Sequence, residues 1–141
     1  MKQWQRDAIK PRPKEGRPFV IGHAGVRQTQ MPARDAKTSG GIKRSSRHPN
    51  CSYFSEWTGT EDSITWRATV GKSGRYRVDL YYACPKADLG STIELSFGEQ
   101  RIVGKVAVPH DPVLRGAEFD RVKRTESYTK AFAPMTLGTI Q

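Results

Sequence analysis

The segment from Gly74 to Gly98 constrains the fold most, because hydrophobic and polar side chains alternate along two short runs within it. The hydrophobic positions of the two runs are, in chain order, Tyr76, Val78, Leu80, Tyr82, Ile93, Leu95 and Phe97. Alternation with a period of two is typical of strands that bury one face of an antiparallel sheet. Residues 84–90 contain the Pro, Asp and Gly of a turn, so we expect a β-hairpin on which the rest of the chain packs.

Further short runs predict an all-β chain. Strands are expected at residues 19–22, near Ile42, and at 64–70, 100–108, 128–132 and 135–140. In the run 100–108 we expect Ile102, Val106 and Val108 to point inward, with a bulge at Gly104. No helix is predicted after residue 10. Short strands separated by turn signals indicate an antiparallel β-sandwich of the jelly-roll kind.

The positive charge of the chain is concentrated at its N-terminal end. The 141 residues carry a formal net charge of +10, and residues 1–50 hold 12 Lys or Arg against 3 Asp or Glu. We therefore predict three parts: a short helix and Pro-rich linker over 1–18, an irregular, extended basic segment with short strands over 19–50, and the β-sandwich domain over 51–141.

The basic segment leaves several partners open. A solvated face is one alternative, and contact with an acidic partner such as a sulfated glycan is another. Nucleic acid is the least favoured, because no RNA-binding, helix-turn-helix or zinc-finger pattern accompanies the charge. No apolar run approaches the roughly 18 residues of a membrane span, and no apolar stretch of a signal peptide follows Met1.

A few side chains are candidates for ligand contact. Trp57, Trp66 and Tyr53 are the aromatic residues that could stack on a sugar, and Trp66 is expected in the core because it is in phase with Ile64. The candidate ligand-binding residues are Trp57, Glu61, Asp62, His110 and Asp111. No catalytic residue is assigned, because His110 and Asp111 lack a Ser or Cys nucleophile at a recognisable turn.

The cysteines and histidines give no metal site. The three histidines do not have metal-ligand spacing to Cys51 or Cys84. The two cysteines lie about thirty residues apart and do not form a CxxC motif. Two alternatives therefore stay open, either one disulfide between them or two small buried thiols.

With the strands placed, several motifs resemble a known domain. They are WTGTEDSITW at 57–66, GxYxVxLxYACP at 74–85, GSTIELSFG at 90–98 and LGTI at 137–140. Together they resemble the galactose-binding-type, carbohydrate-binding-module-like β-sandwich that follows the catalytic domain of many bacterial sulfatases. The longer stretches PNCSYFSEWTGT at 49–60 and VPHDPVLRGAEFDRV at 108–122 are similar to the tail of arylsulfatases related to N-acetylgalactosamine-6-sulfatase.

This resemblance implies a non-catalytic role. The tail would dock on the sulfatase catalytic domain or face a sulfated polysaccharide, and the parent enzyme would be periplasmic or secreted. A full-length sulfatase would use calcium and formylglycine, but no cofactor is expected in this chain. The nearest approach to the C/S-x-P-x-R signature runs from Gln30 to Arg34, and Gln30 cannot become formylglycine.

The resemblance also implies that the domain is incomplete. In such tails LGTI is followed by more strands, so we expect a sandwich that lacks its closing strands. A free-standing carbohydrate-binding module and a small basic nucleic-acid-binding protein are the alternatives. An upstream reading frame that encodes C/S-x-P-x-R would favour the sulfatase tail over both.

Overall fold

The computed structural model describes residues 16–48 and 51–141, so the predicted helix at 2–10 and most of the linker lie outside the described residues. Ten strands and three single-turn 3₁₀ helices make up the regular structure of the described residues, which confirms the all-β prediction. The strands are β1 Phe19–Ile21, β2 Lys37–Ser39, β3 Lys43–Arg44, β4 Phe54–Ser55, β5 Ser63–Thr65, β6 Ala68–Val70, β7 Tyr76–Tyr82, β8 Thr92–Phe97, β9 Gln100–Lys105 and β10 Ala133–Ile140. The 3₁₀ helices are Ala33–Asp35, Lys86–Asp88 and Ala117–Phe119.

The described strands associate in pairs. The antiparallel pairs are β2 with β5, β3 with β4, β7 with β10 and β8 with β9, whereas β1 runs parallel to β6. Each sheet among the described residues therefore has two strands, and none closes on itself. The sandwich and its missing closing strands stay predictions.

The expected hairpin between β7 and β8 is wrong, although both strands lie where they were predicted. β8 pairs with β9 through the two-residue turn Gly98–Glu99, in which Gly98 has a φ of 60°. A glycine with positive φ at the first central position suits a tight hairpin turn of type II′. The connection after β7 instead pairs with a later segment, since Cys84 exchanges backbone hydrogen bonds of 2.7 and 2.9 Å with His110.

The main packing contact joins β9 to β10. Gly104 faces Leu137 and Met135, and Gly138 lies against Ile102. The predicted bulge at Gly104 is wrong, because this residue stays in register with β8, and the irregularity lies in β10 between residues 136 and 138. Gly104 is needed for close approach instead, since a β-carbon there would collide with the Leu137 side chain.

The end of the run 100–108 also differs from the expectation. Val106 is buried, as predicted, and Ile102 is half-buried. Val108 is 64% exposed, which contradicts its predicted inward position. The strand ends at Lys105, so the alternation that would have turned Val108 inward no longer applies.

Other predicted strands are shorter or displaced. The run 64–70 is divided into β5 and β6, which pair with different strands. Trp66 lies between them and is half-buried, and its Nε1 donates to the Pro32 carbonyl over 2.9 Å. The strand expected at 128–132 is wrong, since only an isolated bridge between Arg115 and Thr129 forms there. Strands at 19–22, near Ile42 and at 135–140 are confirmed by β1, β3 and β10.

Candidate functional site

An open groove of about 650 Å³ lies where β3 and β4 meet the segment that follows His110. The pairing of Lys43 with Ser55 brings the two short strands together at one side of this groove. Its lining residues are Lys43, Arg44, Ser45, Tyr53, Ser55, Asp111, Pro112, Val113, Leu114 and Lys130. We refer to this feature as the β3–β4 groove.

Tyr53 is the aromatic residue of the β3–β4 groove. Its ring makes an edge contact with Phe132, with 6.0 Å between the ring centroids and an interplanar angle of 61°. The ammonium group of Lys130 lies 5.9 Å from the centroid of the Tyr53 ring, within range of a cation–π interaction. The groove thus joins an aromatic ring to a positive charge, a combination that suits an anionic sugar.

The charged side chains of the groove are not equivalent. Lys43 pairs with Glu56 over 2.8 Å, and both side chains are largely exposed. Lys130 pairs with Asp111 over 3.6 Å. The Lys130 side chain is 23% exposed and that of Asp111 is 55% exposed, so this pair is open to solvent mainly on the carboxylate side. Lys43 can exchange Glu56 for another anion at little cost, because both of these side chains are exposed.

Arg44 has a structural role in the same groove. Its guanidinium donates to the Arg34 carbonyl over 3.1 Å and to the Ala36 carbonyl over 3.4 Å. It also lies 5.7 Å from the centroid of the Phe54 ring. These contacts connect β3 to the 3₁₀ helix Ala33–Asp35 and leave Lys43 as the more exposed and more adaptable cation.

A serine hydroxyl organises the backbone beneath Tyr53. The Ser45 Oγ accepts the backbone N–H groups of Ser52 and Tyr53 over 3.1 and 3.3 Å and contacts the Cys51 sulfur at 3.6 Å. The Ser52 N–H also lies 3.1 Å from the Ser127 hydroxyl, which connects this turn to the segment before Lys130. These hydrogen bonds therefore connect the turn that carries Tyr53 to Ser45 and to the segment that precedes Lys130.

Asp62, predicted as a ligand carboxylate, organises a pair of turns. Its carboxylate accepts the backbone N–H groups of Gly41 and Gly59, each over 2.8 Å, and that of Thr58 over 3.3 Å. These backbone donors, that of Gly41 foremost, lower the pKa of Asp62 below its usual value. Trp57 donates from Nε1 to the Asp62 carbonyl over 3.2 Å.

The predicted site residues fall into two separate groups. Trp57 and Asp62 contact each other, with Glu61 exposed beside them, and none of the three lines the β3–β4 groove. Asp111 does line it, whereas the adjacent His110 directs its ring nitrogen Nε2 to the Ala131 carbonyl. Whether Trp57 and Glu61 contact a ligand stays a prediction.

Lys43 and Lys130 were not predicted as site residues. They belong to segments that are far apart in the chain, and no local motif connects them. Only the pairing of β3 with β4 and the packing of the segment 127–132 bring them into one groove. Tyr53 carried the one available signal, as an aromatic residue able to stack on a sugar.

The two cysteines are separate, buried thiols and do not form a disulfide. Cys51 lies against the Tyr53 carbonyl, and Cys84 lies in the backbone bridge to His110. Burial raises the pKa of the Cys84 thiol, and the carboxylates of Asp88 and Asp111 add to the effect. Within residues 16–48 and 51–141, no three His, Cys, Asp or Glu side chains are placed to hold a metal ion.

Comparison with protein-family models, with curated proteins and with solved structures finds no match for the chain. The likeness to sulfatase tails therefore depends on the sequence motifs alone. In the part of the chain that the structure describes, no helix is long and hydrophobic enough to cross a membrane.

Proposed function

We propose that this chain is a non-catalytic module that binds an acidic polysaccharide, as expected of the C-terminal domain of a sulfatase that acts on sulfated glycans. The observation that carries the proposal is the β3–β4 groove, in which Lys43 and Lys130 accompany the ring of Tyr53. A sulfated sugar offers the complement, with an apolar ring face for stacking and fixed negative groups for the two ammonium groups.

The charge of the groove supports an anionic rather than a neutral ligand. Its lining contains three cationic side chains and one carboxylate, Asp111. Because Lys43 and Lys130 are held by partly exposed carboxylates, sulfate groups can replace these partners when a ligand enters. A periodic polyanion gains further from binding both lysines at once, since the second contact is then intramolecular.

The same lining supports a binding role rather than a hydrolytic one. Most glycoside hydrolases use two carboxyl groups across the scissile bond, and the groove has only Asp111, which Lys130 engages. The nearest approach to the sulfatase signature, from Gln30 to Arg34, has a glutamine where the signature requires Cys or Ser. We therefore expect the purified protein to release no product from an aryl sulfate.

Dextran sulfate and uncharged dextran form a suitable pair of probes, because they share a backbone and differ in sulfation. We expect binding to dextran sulfate only, with the dissociation constant raised roughly fivefold by Lys130→Gln or by Tyr53→Leu, about 1 kcal/mol in each case. Lys105→Gln is the matched control, since Lys105 is exposed on β9 and does not line the groove. If Lys105→Gln and Lys130→Gln reduced the affinity for dextran sulfate equally, the β3–β4 groove would not be the binding site.

Trp57 provides a second test of sugar contact. The residue is 41% exposed and lies outside the groove lining. Stacking on a sugar would make Trp57→Ala weaken dextran sulfate binding by about 1 kcal/mol while the melting temperature changes little. A large fall in melting temperature with unchanged binding would instead assign Trp57 to the turn that Asp62 organises.

A further inference from the structure

Residues 115–129 form a closed loop with an ion pair between Arg124 and Asp120 inside it. Backbone hydrogen bonds of 2.8 and 3.3 Å between Arg115 and Thr129 join the two ends of the loop. Inside it, the Arg124 guanidinium donates from Nε to Asp120 over 2.6 Å and from Nη2 to the Gly116 carbonyl over 3.4 Å. The same guanidinium lies 4.8 Å from the centroid of the Tyr128 ring. We refer to this segment as the 115–129 loop.

The hydrophobic side chains of the 115–129 loop point outward. Phe119 is 83% exposed and Val122 is 79% exposed. Gly116, with a φ of 110°, begins the 3₁₀ turn that carries Phe119, and its N–H is accepted by the Glu118 carboxylate over 2.8 Å. The loop is thus closed by internal polar contacts and presents two large apolar side chains to solvent.

The charge on the outer face of this loop is positive. Arg121 and Lys123 are exposed on either side of Val122, and neither forms an ion pair with another described residue. The loop has three acids. Asp120 is engaged by Arg124 and Glu118 by the Gly116 N–H, whereas Glu126 is exposed, so the exposed charges of the loop are Arg115, Arg121 and Lys123 against Glu118 and Glu126. A partner would therefore meet apolar side chains flanked by two free cations.

We propose that the 115–129 loop binds the surface of an anionic lipid bilayer. Phe119 and Val122 enter the region between headgroups and acyl chains, and Arg121 and Lys123 contact the negatively charged headgroups. At about 80% exposure the two apolar side chains protrude, and a deformable headgroup layer accommodates a protrusion without a matching recess. A typical protein interface requires about 800 Å² from each partner, much more than two side chains provide.

This proposal is independent of the polysaccharide site, because Phe119, Arg121, Val122 and Lys123 do not line the β3–β4 groove. The test is sedimentation of the full chain with vesicles of phosphatidylcholine alone or mixed with phosphatidylglycerol. We expect the protein to bind only the mixed vesicles. The double variant Phe119→Ser/Val122→Ser should bind them at least tenfold more weakly. Arg121→Gln and Lys123→Gln should each reduce binding about fivefold.

Two controls separate insertion from non-specific attraction. Val103→Ser removes a valine that is 62% exposed on β9, and Lys130→Gln removes a groove cation, so both should bind vesicles as the unchanged protein does. Phe119→Trp should retain binding, and brominated acyl chains should quench the added fluorescence. Absence of binding to anionic vesicles, or equal binding by Phe119→Ser/Val122→Ser, overturns the proposal. If Phe119 contacts a protein partner and not a lipid surface, the protein will not bind the anionic vesicles.

Discussion

At the residue scale, Asp62 shows how one carboxylate can join turns that are distant in the sequence. It accepts N–H groups from Gly41 in one turn and from Thr58 and Gly59 in another. A β-carbon on Gly40 or Gly59 would collide with this side chain, so both glycines allow the close approach. The carboxylate is a structural acceptor for backbone donors, which is a common use of Asp in turns.

The lowered pKa of Asp62 predicts a pH-dependent stability. The charged carboxylate stabilises the fold at pH values above its unfolded pKa of about 4, and this contribution is lost as the pH falls through the lower, folded pKa. We expect Asp62→Asn to lower the melting temperature at pH 7. The difference from the unchanged protein should shrink as the pH falls below about 4.

The exposed neighbour Glu61 provides the control for this prediction. Thermal melts of Glu61→Gln between about pH 2 and 7 should follow those of the unchanged protein, because Glu61 accepts none of these backbone N–H groups. A melting temperature of Asp62→Asn equal to that of the unchanged protein at pH 7 would show that the three hydrogen bonds do not stabilise the turns.

At the element scale, the contact between β9 and β10 depends on a residue without a side chain. Gly104 lies opposite Ile93 in the β8–β9 ladder, and on its other side it faces Leu137. The irregularity of β10 between residues 136 and 138 lies at the same level, with Gly138 against Ile102. Close approach of two strand pairs therefore requires small residues on both.

Gly104→Ala should destabilise the protein by about 1–3 kcal/mol, because the added methyl group overlaps the Leu137 side chain. Denaturant unfolding measures the loss. Gly74→Ala is the matched control, since a β-carbon there would meet only the Tyr76 hydroxyl, at 4.0 Å. The double variant Gly104→Ala/Leu137→Ala should lose less free energy of unfolding than the sum of the losses of the two single variants. Strictly additive losses would exclude the proposed clash.

At the scale of the whole molecule, the described sheets are narrow. Each contains two strands, so each strand has one edge without a backbone partner in another described strand. Two-stranded ladders have little stability on their own, and open edges invite pairing with a second chain. Much of the stability must therefore come from contacts between the pairs, such as that of β9 with β10.

We predict that residues 1–141 on their own are marginally stable or self-associate. Sedimentation velocity over a range of concentrations should show concentration-dependent species. Tyr81→Lys, at a position 58% exposed on β7, should reduce self-association because an added charge disfavours edge-to-edge pairing. A monomer that melts sharply and reversibly at all concentrations would show that these edges do not limit stability.

The uneven charge of the chain predicts a salt-dependent affinity for polyanions. Residues 1–18 carry six Lys or Arg, so their deletion should weaken binding of dextran sulfate at low salt while β1 stays intact. Raising the ionic strength to 0.15 M shortens the Debye length to about 8 Å and should reduce the difference between the two proteins. Affinity that does not change with salt would contradict an electrostatic role for this segment.

The period-two alternation was sufficient to predict an all-β chain and to place β7, β8 and β10. It was not sufficient for the β3–β4 groove, because Lys43 and Lys130 meet only through the packing of segments that are distant in the chain. It also did not predict that Asp62 binds the N–H of Gly41.

Alternation along a strand reports which face is buried, and this local property can be read from the sequence. It does not specify the neighbouring strand, because backbone hydrogen bonds are the same with any partner. β7 could therefore have paired with β8, and only the tertiary structure decided that it pairs with β10. Two features accompany this arrangement. The tight turn at Gly98 pairs β8 with β9, and the connection after β7 bridges from Cys84 to His110 and not to β8.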